Sequence, residues 1–375
     1  APAVYSFKSY PQPGEGVFQH SSDSRIFTFD KGRFQAWGKV GFGIRANDHM
    51  DSVYNNYGVR YTRLYCDGKL VFSSDVNNIP VSCNRMVNSW GDYDHFLHTK
   101  IWFMKSFIEP GNTLPILRAG ADRGIINFNQ QRDYHLRYVV SDAFGNQTVK
   151  EFTVHGEPQA IPSVAKPEGG LPLYCKKDNR INADGVRLNI QKGLLAKDGW
   201  LLMRTVPMGN ALSMGYSFSK APYPLFNYAE INIKAKDGIR NPEKLYIAAR
   251  NSAAGGGPSA YCGGIYTNGW VKGRFRELSD IYFLTSDETA PLITKMNLDP
   301  HHLFFKITDS GSGLKAYQAS VDGEFILLEF GKNKEVFFCD LTETPVQRTG
   351  KERTLKVSAV DNRDNRREFV TKIKY

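Results

Sequence analysis

The chain has 375 residues, 41% of them hydrophobic and 13% aromatic, with a formal net charge of +10. That length suits two or three domain-sized cores better than one, and no run of about 18 apolar residues is present to cross a bilayer. Lys and Arg are dispersed, the densest knot being the mixed Asn362-Arg363-Asp364-Asn365-Arg366-Arg367, so the charge reads as a solvated basic surface and not as a nucleic-acid footprint.

Residues 1–156 read as one β unit. Val40, Phe42 and Ile44 alternate with Gly41, Gly43 and Arg45, the pattern of a strand with one buried face. Leu64-Tyr65-Cys66 leads into Asp67-Gly68, a hairpin signal because both central residues of a type I′ turn need φ > 0. Tyr134, Leu136, Tyr138 and Val140 mark a later strand that ends in Asp142-Ala143-Phe144-Gly145-Asn146, and residues 149–154 close the sheet. Residues 157–172 carry Pro158, Pro162, Pro167 and Pro172 with Gly169-Gly170 and read as a linker. Residues 173–286 form a second β-rich block, with strands at 186–190, 230–234 and 244–248. Its Gly255-Gly256-Gly257-Pro258 loop lacks the Lys-Ser/Thr and helix start of a phosphate cradle.

The third unit, 287–375, repeats the signature of the first. Its hairpin is Asp322-Gly323 and its turn is Asp361-Asn362-Arg363-Asp364-Asn365, while Ala290-Pro291 echoes Ala1-Pro2. Asp67 and Asp142 are 75 residues apart, and Asp322 and Asp361 are 39 apart, so the first copy holds 36 extra residues. They fall most naturally within 76–125, an insertion containing Trp90-Gly91-Asp92-Tyr93-Asp94-His95-Phe96-Leu97-His98. Long insertions on a sandwich sit at its ends and commonly carry function. The insertion is therefore the expected binding surface, with Trp90, Tyr93, His95 and His98 as its contact residues and Trp270 as a further aromatic anchor.

Candidate chemistry is sparse. Asp92, Asp94, His95 and His98 offer zinc-type ligands, but their spacing matches no defined site. Residues 361–365 have the composition of a calcium-binding linker, yet Arg363 would place a cation among the ligands, and Asx side chains bonded to their own backbone explain both copies. No metal and no cofactor is expected. Gly-x-Ser-x-Gly and His-Glu-x-x-His do not occur, so no catalytic residue can be named. Five cysteines (Cys66, Cys83, Cys175, Cys262 and Cys339) lie far apart without a Cys-x-x-Cys pair, which gives neither a zinc ribbon nor a disulfide framework.

Several phrases, in order along nearly the whole chain, resemble the non-catalytic region that follows the peptidase domain in large lysostaphin/LytM-type zinc metallopeptidases of Bacteroidales-type bacteria. They are 38–44 with Asn47-Asp48, 64–68, 142–146, Gly264-Ile265-Tyr266-Thr267-Asn268-Gly269-Trp270-Val271 and Ser310-Gly311-Ser312-Gly313-Leu314. That family binds zinc through His-x-x-x-Asp and His-x-His motifs, and none of the eight histidines here fits either. The resemblance implies an accessory region that starts just after the catalytic domain.

The expectation is therefore an all-β chain of three tandem β-sandwiches, the outer two immunoglobulin-like. Its function would be a non-catalytic cell-envelope module, periplasmic or outer-membrane associated, that positions a peptidoglycan metallopeptidase or binds a protein or glycan partner. The partner would be its own peptidase domain, another envelope protein or peptidoglycan, with no nucleic acid and no membrane span. Two alternatives are a structural subunit of an outer-membrane or secretion assembly, and an enzyme with a cryptic metal site in the 76–125 insertion.

Overall fold

The computed structural model describes residues 1–19, 25–29, 33–49, 54–209, 211–218, 225–251, 260–278, 280–296, 301–331 and 335–375. The 255–258 glycine loop lies outside them. Strand accounts for 53% of the chain and helix for 7%, which makes the fold all-β with several separate sheets. No described helix is long and apolar enough to cross a membrane.

The strands of the first unit form one sheet of eleven. The cause is the length of Ala3–Gln19 and Phe34–His49, 17 and 16 residues, against about 5–6 for an average strand. Phe34–His49 pairs along its length with Ala3–Gln19, Met104–Lys105 and Ile126–Phe128, and in parallel with Gln147–Gly156. Phe7, Phe34, Phe42, Phe128 and Phe152 fill the core beneath it.

The second unit has two five-stranded sheets. One runs Asn179–Ala183, Val186–Ile190, Ala229–Lys234, Trp270–Phe275 and Ile265–Thr267. The other runs Met203–Val206, Gly215–Phe218, Asp280–Ser286, Leu245–Asn251 and Ala260–Tyr261. A core around Ile231, Leu188, Ile247 and Phe275 lies between them. Pro172, read above as linker, pairs with Trp200 in a two-stranded ribbon, a position with no ladder donor to lose on its open side. The third unit has two four-stranded sheets closing on Phe305, Val321, Leu355 and Val357.

The insertion at 76–125 contains a 3₁₀ turn, Val81–Met86, and the α-helices Val87–Trp90 and Tyr93–Thr99. Its return segment covers the outer face of Phe34–His49. Positions 40–44 are therefore buried on both faces, where alternation predicted one. Glycine is required there: a Cβ at Gly41 would collide with the Phe107 ring, and one at Gly43 with Tyr10 and the Met104 carbonyl. Ser106 completes the seal, donating its amide to Phe42 O at 2.7 Å and accepting from the buried Tyr138 hydroxyl at 2.9 Å.

Asp92 pins the insertion to the N-terminal strand. Its carboxylate takes the Lys8 ammonium, the Tyr10 hydroxyl at 3.0 Å and the His95 amide at 3.3 Å, capping Tyr93–Thr99. Burial alone would raise its pKa, but the Lys8 hydrogen bond and charge and the His95 amide more than offset that and hold it below the ordinary range. A depressed carboxyl adds stability above the unfolded pKa, and that stability is lost as pH falls through the folded value. Lys8→Met should leave a buried uncompensated carboxylate and cost about 3 kcal/mol. Its acid-unfolding midpoint, followed by circular dichroism, should lie at higher pH than that of the wild type.

Candidate functional site

The structure redistributes the residues expected to form the binding surface. Trp90 is 6% exposed and packs in the first core, so it is no surface anchor; the sheet needs an apolar group where the insertion crosses it. His95 packs edge-on against Phe103 at 5.3 Å, and burial, then the Lys8 charge, lower its pKa. His98 is exposed, 2.8 Å from the Asp94 carbonyl. Because Asp92 is committed to Lys8 and Tyr10, these four groups do not assemble as a metal site; the trio that could hold an ion lies elsewhere among the described residues. Tyr93 sits by the joint between the first and second units, where burial and then the Glu277 charge raise its pKa. Trp270 follows the Asn268-Gly269 turn, with the Arg187 guanidinium 3.9 Å above its ring, so one face is already covered.

The insertion makes the joint with the second unit. Arg85 donates to Leu225 O at 3.0 Å and to Glu277 at 2.9 Å, and the Gly111 amide donates to Ala196 O at 2.6 Å. All five cysteines are free.

The repeated turns match atom for atom. Asp142 Oδ1 accepts the Phe144 and Asn146 amides at 2.8 and 2.9 Å, and Asp361 Oδ1 accepts those of Arg363 and Asn365 at 2.7 and 2.9 Å. Each Asp Oδ2 accepts the Asn side-chain amide at 2.7 Å. The hairpin aspartates match too: Asp67 and Asp322 accept the His135 and Thr354 amides at 2.9 and 2.7 Å. The copies differ at the third turn position. Phe144 is 92% exposed. Arg363 instead turns away from its own loop and enters the second unit, donating to Leu245 O at 2.6 Å, to Gly264 O and to Glu243 O at 3.2 Å. A Cβ at Gly264 would collide with its Nη1. Lys244 answers from the second unit, donating to Arg363 O at 2.8 Å and Asn365 Oδ1 at 2.6 Å.

This reciprocal latch sets the walls of a cleft of about 600 Å³ between the second and third units. One wall follows from strand periodicity. Leu245, Ile247 and Ala249 face the main core, so Tyr246, Ala248 and Arg250 project to the other side, where they meet Phe283, Tyr261 and Ala211. Arg250 lies 5.5 Å over the Phe283 ring, and its Nε is buried without an acceptor. The 309–313 loop forms the opposite wall. Burial, then Asp287 and Asp309, push the Tyr246 hydroxyl up to about 12. Burial is also the first cause that raises Asp309, reinforced by Asp287 and Asp361 against the Gly313 and Gly311 amides. The carboxylates of Asp287, Asp309 and Asp361 come within 4.8 Å of one another, and these three could hold a metal ion.

The cleft was missed in sequence because its residues come from five separate segments. The readable signal was the two-sided apolar strand Leu245–Asn251, which needs cover on both faces.

Residues 171–287 match the Zu5-like domain family. No curated protein matches the chain. Among solved structures, a 1.5-MDa bacterial ice-binding adhesin, described for host cell surface retention, is similar over 90% of both chains at 9% identity with a TM-score of 0.16. The M60 catalytic domain with the CBM51-1 and CBM51-2 domains of Clostridium perfringens ZmpB is similar over all of this chain and 39% of that one, at 11% identity and a TM-score of 0.14.

The two copies of the turn predict opposite responses to truncation. Arg363→Ala should cost about 2–3 kcal/mol, because three carbonyls lose a charged donor. Phe144→Ala should stay within about 0.5 kcal/mol, as expected of an exposed side chain. Denaturant unfolding of the two variants measures both.

Proposed function

We propose that the chain is a non-catalytic binding module of a cell envelope or cell surface, and that the cleft between its second and third units recognises a polar glycan or peptide. The observation that carries this reading is Arg250. A buried guanidinium nitrogen without an acceptor is costly, and here it borders an aromatic-walled space with Asp309 across it. A ligand that supplies a carbonyl or carboxylate to Nε and lays an apolar face on Tyr246, Tyr261 or Phe283 would satisfy both wants. The cleft's described lining contains no histidine, cysteine or glutamate. The basic surface would add a salt-sensitive attraction to an anionic wall.

A second reading, that the module also positions a folded neighbour such as a lysostaphin/LytM-type peptidase domain, draws on Phe144. The equivalent residue of the third unit is the one that docks onto another unit, whereas Phe144 stands exposed at the same place on the same turn. The resemblance in sequence would make that neighbour a peptidase.

Purified peptidoglycan sacculi and soluble muropeptides are the first ligands to test. Arg250→Ala and Tyr261→Ala should each reduce binding in co-sedimentation and calorimetry by about tenfold or more, while Arg187→Ala, at the Trp270 stack, leaves it unchanged. Binding insensitive to both cleft substitutions would overturn the cleft as the recognition site.

A further inference from the structure

We propose that Asp287, Asp309 and Asp361 hold a calcium ion at the junction of the second and third units. Their ligand oxygens lie within 4.8 Å of one another, the spread expected around an ion that takes oxygens at about 2.4 Å. Asp361 and Asp287 are 0% and 4% exposed, and buried carboxylates demand a compensating charge. The protein supplies only neutral donors. Asp287 accepts the Thr289 and Ser312 amides, Asp309 those of Gly311 and Gly313, and Asp361 those of Arg363 and Asn365 with the Asn365 side chain.

Nearby cations are directed elsewhere. Arg363 reaches out to the second unit, Lys244 donates to Arg363 O and Asn365 Oδ1, and Lys315 pairs with Asp364. The arginine that argued against an ion in the sequence thus points away from the carboxylates. Among the described residues, no ion pair reaches any of the three.

A separate observation comes from Ser312. Its side chain is buried, the residue being 2% exposed, and its hydroxyl has no hydrogen-bond partner. Its amide donates to Asp287 Oδ2 at 2.7 Å, so the residue carrying that unsatisfied hydroxyl borders the cluster and shares the cleft lining with Asp309. An oxygen-only donor set selects a hard cation. Ligands drawn from three separate segments and spread over as much as 4.8 Å suit calcium better than magnesium, which demands a near-ideal octahedron. Bound there, calcium would tie together the entry to the third unit, the cleft wall at 309–313 and the turn that carries Arg363. The inference stands apart from the glycan or peptide reading, since failure to bind sacculi would leave the calcium response untouched.

The test uses the full chain stripped with a chelator. Calorimetry with calcium chloride should show one site, and millimolar calcium should raise the melting temperature by on the order of 5 °C. Terbium should give tyrosine-sensitised luminescence that calcium quenches, because Tyr246 lines the cleft beside Asp309. Asp309→Asn, the least buried of the three, should weaken calcium binding by about tenfold or more while the apo protein stays folded by circular dichroism. Asp364→Asn, outside the trio, should leave binding intact. No calcium binding by the folded wild type at about millimolar concentration, binding unaltered in both Asp309→Asn and Asp287→Asn, or an equal response to magnesium would each overturn the assignment.

Discussion

Three backbone carbonyls of the second unit, those of Glu243, Leu245 and Gly264, end on one guanidinium of the third. Carbonyls at the rim of a sheet need a donor once they are buried, and the ladder that would supply one has run out. Arg363 meets that need because its planar fork serves several acceptors at once, and because Asp361 has already bent the turn so that the side chain leaves it in the right direction. Lys244 returns the contact into the same turn. The cleft follows from that relative placement, because the 309–313 loop of the third unit is brought over the aromatic wall of the second.

Two-sided burial is the second constraint. At positions 40–44 the inner face carries Val40, Phe42 and Ile44, and the outer face carries glycines into which Phe107 and Tyr10 fit. At Leu245–Asn251 the inner face carries Leu245, Ile247 and Ala249, while the outer face carries Tyr246, Ala248 and Arg250. The first strand is sealed by its own unit's insertion, and no space is left. The second is covered only in part by its neighbour, and a cavity remains. One sheet principle thus gives packing in one place and a binding space in another.

The duplicated turn shows how a shared scaffold supports different roles. In both copies an aspartate holds two amides and an asparagine, which fixes the backbone without help from the third residue. That residue is then free to vary, and it is Phe144 in one copy and Arg363 in the other. A free position on a rigid turn, placed where the chain enters its unit, is suited to meeting whatever unit stands beside it.

Much of the architecture was legible in the sequence. Asp67-Gly68 and Asp322-Gly323 adopt the positive φ angles that their composition demands, and the 142–146 and 361–365 turns bond to themselves as Asx chemistry dictates, because these are local interactions between residues a few positions apart. The all-β character was legible for the same reason, through period-two alternation. The role of the 76–125 insertion was not. Its aromatic residues read equally well as surface anchors or as cover, and only the position of the sheet beneath them made Trp90 a core residue and Arg85 a junction contact. The direction of Arg363 was likewise undetermined, since composition places a cation in the turn without saying whether it points in or out. Asp287, Asp309 and Asp361 are separated by tens of residues, and sequence spacing carries no trace of their convergence. Turns and periodicity are set by neighbouring residues, so the chain alone determined them; burial, side-chain direction and the gathering of distant charges depend on which surfaces meet, and only the tertiary structure decided those.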